Sequence, residues 1–145
     1  MVKIKDIQHA SDLRTVVSRL VKKLRKESVT SQQISLTERS SMALLHQHKE
    51  LLPNELASME KITNQSMSQI LNHLMELGYI SRKASETDKR KVIISLTEQG
   101  EKTLLQVRHE RDEWLAKAIS QTFTKEEEAL LPQAIVLLTK LVDFE

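Results

Sequence analysis

The sequence predicts a mostly α fold of the α+β class, with long helices and one short β-hairpin, and three observations carry that expectation. Only two Gly and two Pro occur among 145 residues, so few positions favour a tight turn or a helix break. Apolar residues recur at intervals of three and four over most of the chain, which is the helical period. The exception follows Gly78, where residues 79–83 and 91–96, the latter holding the β-branched run Val92, Ile93 and Ile94, flank a polar loop and predict two strands.

Composition narrows the class. With 39% hydrophobic and 29% charged residues the chain suits a folded domain with one core, or two small lobes sharing elements, rather than a disordered tail. The longest apolar run, residues 134–138, is far below the roughly 20 needed to cross a bilayer. The first residues mix charge with isolated apolar side chains and lack the apolar stretch of a secretory signal, so no membrane partner and a cytoplasmic location are expected. Zero Cys excludes a thiol nucleophile, a Cys-ligated zinc site and a cysteine-based oxidation sensor. Charge is unevenly spread: residues 1–60 carry 10 basic and 7 acidic groups, 79–96 carry 5 and 2, and 97–145 carry 6 and 10. The first two thirds therefore face an anionic partner, and the acidic last third serves another purpose.

Taken in order, Ile7, Ala10, Leu13, Val17, Leu20, Val21 and Leu24 mark a first helix of about 20 residues. The polar stretch 27–35 reads as a connection. A second helix is expected to start after Thr37, a residue able to cap a helix, and to run to about residue 48. Pro53 suits the first turn of a short third helix reaching about residue 59. Thr63 caps a fourth helix whose stripe is Met67, Ile70, Leu71, Leu74 and Leu77, and Gly78 can supply its left-handed stop. After the hairpin, a fifth helix runs from near Thr97 to about residue 121. Thr124 and Glu127 make a capping box for a sixth, in which Pro132 predicts a kink or an early end.

Three helices of roughly twelve, seven and fifteen residues, the last the longest, followed at once by a hairpin, are the order of a winged helix-turn-helix. The polar face of helix four supplies Thr63, Asn64, Gln65, Ser66, Ser68, Gln69, Asn72 and His73, whose amides, hydroxyls and imidazole can donate to and accept from base edges. No acidic residue stands between Lys61 and Met75 to repel phosphate. The helix N-terminus adds free N–H groups and positive dipole character. In the hairpin, Lys83, Lys89, Arg90 and Lys91 are basic, and Asp88 can hold the Arg90 guanidinium extended towards a narrow groove. Double-stranded DNA is the partner these features predict.

Leu56-Ala57, the stretch Leu74 to Gly78, Tyr79-Ile80-Ser81-Arg82, Asp88-Lys89-Arg90 and Leu96-Thr97-Glu98-Gln99-Gly100 together resemble the MarR family of bacterial transcription regulators over nearly the whole chain. The resemblance implies a homodimer within one domain, 1–145, in which 36–97 form the DNA-binding lobe and 1–27 and 98–145 the dimerisation helices. It implies that Arg90 enters the minor groove with Asp88 orienting it, that residues 64–69 begin the recognition helix, and that a small anionic or lipophilic effector binds. A ligand-responsive repressor of a pseudo-palindromic operator follows as the expected function. The helix lengths independently favour a dimer, since their apolar faces exceed what so small a core can cover.

Other readings are weaker. A winged-helix module used for protein contact remains the alternative. His46 and His48 lie on different sides of a helix and no pair has the three or four spacing that converges on a metal, so no metal or other cofactor is expected. Hydrolase, zincin and Walker motifs are all missing, and no enzyme activity is expected. The run Arg19, Lys22, Lys23, Arg25 and Lys26 either raises the local potential as a solvated face or touches an anion. Trp114 packs at a junction or lines a ligand cavity.

Overall fold

The computed structural model describes residues 1–145. Its elements in chain order are α1 (Ile4–Glu27), a 3-10 turn (Thr30–Gln33), α2 (Leu36–His48), β1 (Glu50–Leu51), α3 (Pro53–Glu60), α4 (Asn64–Glu76), β2 (Ile80–Ala84), β3 (Val92–Leu96), α5 (Glu98–Thr122) and α6 (Lys125–Val142). The chain is mostly helical, as its sequence predicts, and divides into two units, Met1–Arg111 and Asp112–Glu145.

Within the first unit, α2, α3 and α4 enclose a core in which Met42, Leu45, Leu56, Met67, Leu71 and Leu74 are fully buried. Ile94 joins it from β3 and Leu104 from α5. The apolar stripe of α4 thus does what its spacing predicts, with Ile70 and Leu77 at its half-buried margin.

α2 starts earlier than Thr37 predicts. Ser35 is the cap: its hydroxyl accepts from the Glu38 N–H at 3.0 Å, and the Glu38 carboxylate accepts from the Ser35 N–H at 2.9 Å. This reciprocal box satisfies two donors that Thr37, with Ser40 three residues on, has no carboxylate to match. The connection before it is no loose linker. Ser28 and Ser31 are buried, the Ser31 hydroxyl donates to the carbonyls of Ser28 and Arg25, and Thr30 and Ser28 both donate to Glu110 on α5. Its polarity serves internal hydrogen bonds.

The predicted hairpin forms with Ser81 opposite Ser95 and Lys83 opposite Ile93, but it is not an isolated pair of strands. β1 adds to the other edge of β3, with Leu51 opposite Ile94, giving a three-stranded antiparallel sheet of order β1-β3-β2. Lys49, at φ 71°, turns the chain from α2 into this strand. Two residues are too few for an alternation to register in the sequence.

Gly78 ends α4 at φ 78°, the left-handed stop its position predicts. Gly100 has a different reason. An added Cβ there would lie 2.0 Å from the Tyr79 carbonyl oxygen. That carbonyl accepts the Thr97 N–H at 3.0 Å, while the Thr97 hydroxyl donates to the Gly78 carbonyl at 2.6 Å and accepts the Gly100 N–H at 3.0 Å. The Leu-Thr-x-x-Gly segment thereby ties the start of α5 to the end of α4.

The terminal helices differ from the core. No residue of α1 or α6 is buried. Ile7, Leu13, Val17, Leu20 and Val21 on α1 are 38–58% exposed, and Leu130, Ile135, Leu138 and Leu141 on α6 are 42–62% exposed. The Thr124 and Glu127 box opens α6 as predicted. The helix then continues through Pro132 to Val142, longer than an early stop would allow, with the Glu128 carbonyl as the acceptor that proline leaves without its helical donor.

Candidate nucleic-acid interface

α4 is built to display one polar face. The Thr63 hydroxyl accepts the Ser66 N–H at 3.0 Å and donates to the Ser66 hydroxyl at 3.0 Å, so these two side chains form the cap and satisfy each other. Burying Met67, Leu71 and Leu74 turns Asn64, Gln65, Ser68, Gln69 and Asn72 outward together, and all five are exposed. No acidic residue occupies the first turn, which leaves the helix N-terminus electropositive.

Two contacts hold that face in place. His73, expected among the outward polar residues, instead meets Glu38 of α2 through Nδ1 and Oε2. Burial pushes the Glu38 carboxyl up, but the Ser35 N–H, the His73 imidazole and the Ser35 hydroxyl outweigh it and hold the group below the ordinary carboxylate range. On the other side, Arg82 of β2 donates from Nη2 to Asn72 Oδ1 at 2.8 Å. Asn72 therefore presents its amide N–H groups rather than its carbonyl. Arg82 is absent from the expected contacts although the sequence holds the signal. Strand alternation puts it on the same face as the buried Ile80, the face turned towards the core.

The hairpin loop is ordered by two short side chains. The buried Ser85 hydroxyl accepts the N–H groups of Thr87 and Asp88 at 3.3 and 3.4 Å. Asp88 Oδ1 accepts both the N–H and the Nε–H of Arg90, at 3.1 and 3.3 Å. The Arg90 side chain is nonetheless 92% exposed, so it is steered without being covered. Lys89 and Lys91 are exposed beside it. Lys83 is placed differently, across β3, where its Nζ lies 2.8 Å from Glu50 of β1. The hydrogen bond to that carboxylate, reinforced by its charge, raises Lys83 above the ordinary lysine range. Elsewhere His46 faces Glu101 at 3.6 Å.

An exposed amide-rich helix face with a steered arginine on the adjoining wing suits contact with base edges and backbone. The family model described as the MarR family matches residues 34–92, the part of the chain that carries α2 to the start of β3. An uncharacterized HTH-type transcriptional regulator of Mycobacterium bovis is 32% identical over 138 residues, covering 95% of each chain. The crystal structure of a Pseudomonas aeruginosa protein assigned as a transcriptional regulator superposes with a TM-score of 0.83 at 31% identity, over 99% of this chain and 100% of that one. A mutant of S. aureus MepR solved with a bound oligodeoxyribonucleotide shares the fold, with a TM-score of 0.71 at 21% identity over 92% of this chain and 97% of its own. The relatives are regulators rather than enzymes, and no helix here is long and apolar enough to cross a membrane. This chain belongs to the MarR family of transcriptional regulators and carries its DNA-binding winged helix.

Proposed function

We propose that the protein is a homodimeric, ligand-responsive repressor that binds a pseudo-palindromic operator, with the lobe 36–97 on DNA and the segments 1–27 and 98–145 forming the dimer. In this reading the α4 face of Asn64, Gln65, Ser68, Gln69 and Asn72 reads the major groove. Thr63 and Ser66, which cap α4, leave the first-turn N–H groups of Asn64 and Gln65 open to a phosphate. Arg90, held by Asp88, enters the minor groove, and Lys89 and Lys91 neutralise phosphates. Lys83 contributes from the flank of the wing.

The observation that carries the reading is the Asp88 and Arg90 pair, an exposed cation fixed in direction immediately after an outward amide face. The DNA-bound MepR mutant supports it by fold. The dimer is supported by α1 and α6, none of whose large apolar side chains is buried within the chain. Two-fold symmetry would then set the recognition helices about 34 Å apart, one DNA turn.

Fluorescence anisotropy with duplex from upstream of the protein's own gene and with a scrambled duplex, at low and physiological salt, tests the reading. Tight binding that prefers the upstream duplex is expected. Equal weak binding to both favours protein contact as the use of this winged helix. Sedimentation at the same concentrations checks the dimer.

A further inference from the structure

The contact between Asn72 of α4 and Arg82 of β2 fixes more than the position of a helix. Arg82 stands opposite Ile94 in the ladder of β2 and β3, so its stem leaves the sheet on the side of that fully buried residue and its head reaches α4. There Nη2 donates to Asn72 Oδ1 at 2.8 Å. Arg82 makes no ion pair, and both residues are exposed.

The chemistry of the two side chains decides what this pair offers to a base. A free asparagine amide has an acceptor beside its donors, and it suits adenine, whose N7 accepts and whose N6 amino group donates. Arginine has only donors, so the amide oxygen must face it and the amide nitrogen is turned away. The pair therefore offers the two N–H groups of Asn72 Nδ2 and the remaining guanidinium N–H groups, with its one acceptor already engaged by a cation. Adenine would have to bring its amino group to that same oxygen, beside the guanidinium. Cytosine presents a donor, and thymine a single acceptor next to a methyl group. Guanine alone places two acceptors, N7 and O6, side by side in the major groove.

We propose that Arg82, by holding the Asn72 carbonyl, turns the pair into a donor-only reader that selects guanine at one base pair under each recognition helix. Arg82 is then a specificity-determining residue supplied by the sheet rather than by α4. The inference rests on the reading of α4 as the major-groove helix.

The test is selection of binding sites by the full chain from a pool of randomised duplexes, followed by anisotropy on single-base variants of the recovered duplex at physiological salt. One position in each half-site should prefer guanine to adenine by roughly 5- to 150-fold. Arg82→Ala should move the preference at that position to adenine and leave the other positions unchanged, and Asn72→Ala should reduce it there and nowhere else. For the parent, inosine, which keeps both acceptors, should bind as guanine does, whereas 7-deazaguanine, which lacks N7, should bind more weakly. An Arg82→Ala that weakens every duplex alike, scrambled DNA included, makes Arg82 a phosphate contact and overturns the inference. So does guanine remaining preferred in Arg82→Ala, or a shift at a position that Asn72→Ala does not touch. Should Arg82→Ala fail to fold, the modified bases tested on the parent and on Asn72→Ala decide: an equal loss with 7-deazaguanine in both overturns the pair. A parent that enriches no sequence counts against the reading of α4 itself, and the inference falls with it. A parent that enriches a sequence without a guanine sensitive to both residues overturns the inference alone.

Discussion

Replacing Gly100 with alanine strikes the joint between the start of α5 and the turn that leads from α4 into β2. The new Cβ would sit 2.0 Å from the Tyr79 carbonyl oxygen, 2.8 Å from the carbonyl carbon and 3.0 Å from Cα, all main-chain atoms that no rotamer change can clear. A carbon and an oxygen rest at about 3.3 Å or more, so Tyr79 and α5 must separate by about 1 Å. That movement pulls on the two bonds that Thr97 donates, to the Tyr79 carbonyl at 3.0 Å and the Gly78 carbonyl at 2.6 Å. Overpacking costs about 1–3 kcal/mol, and weakening two hydrogen bonds adds roughly 1 kcal/mol or more. A loss near 3 kcal/mol corresponds to about 6–12 °C in a chain of this size. Gly78→Ala is the control. Its φ of 78° penalises alanine, but the added Cβ meets only the Gln99 side chain at 3.4 Å, so about 1–2 kcal/mol is expected. Melts followed by far-UV circular dichroism at one protein concentration compare the two, since self-association shifts Tm. A Gly100→Ala protein that melts within a degree of the parent, or above Gly78→Ala, would refute the locked joint.

Four further substitutions probe the interface and the contact behind it. Asp88→Ala releases Arg90 to wander, and reordering one long side chain costs about 0.5–1.5 kcal/mol. DNA affinity should therefore fall roughly two- to tenfold, less than for Arg90→Ala, which should also reduce the salt slope by about 1; anisotropy across a salt series ranks them, and an Asp88→Ala loss equal to or above the Arg90→Ala loss denies the positioning role. Arg82→Ala frees the Asn72 carbonyl and should change discrimination among single-base operator variants, by about 1–3 kcal/mol at one position, more than it changes binding to scrambled DNA. For Glu38, the folded carboxyl titrates below its unfolded value of about 4.3, so its stabilisation is present above that pH and disappears as pH falls through the lower, folded value. Glu38→Gln should thus destabilise at pH 7 and differ less from the parent near pH 3 in urea titrations; a gap that stays constant with pH rules out the charge as its source.

Elements with many repeats of a pattern were legible in the sequence. α4 shows its buried stripe, its Thr63 cap and its Gly78 stop directly, because each is a local rule acting over a few residues. The Asp88 and Arg90 contact was legible for the same reason, being two residues long. What escaped depends on partners far apart in the chain. β1 exists because Leu51 lies opposite Ile94, and nothing within two residues can signal a pairing 43 positions away. His73 falls on the polar face of α4 by its spacing, but Glu38, 35 residues earlier, holds it. Arg82 and Asn72 are only ten residues apart, yet the turn at Gly78 intervenes. The Ser35 cap is also local, since Glu38 three residues on completes the box, whereas Thr37 offers only a single capping hydroxyl.

These long-range contacts also hold the lobe together as one piece. Glu38 of α2 holds His73 of α4, while the Ser40 hydroxyl, two residues on, donates to Glu60 of α3. α2 is thus fastened to both other helices of the lobe within one turn. Arg82 carries the fastening from α4 to the wing, and Thr97 carries it from the end of α4 to the start of α5. The core beneath is close-packed and resists local deformation, so the exposed face of α4 keeps its geometry relative to the wing.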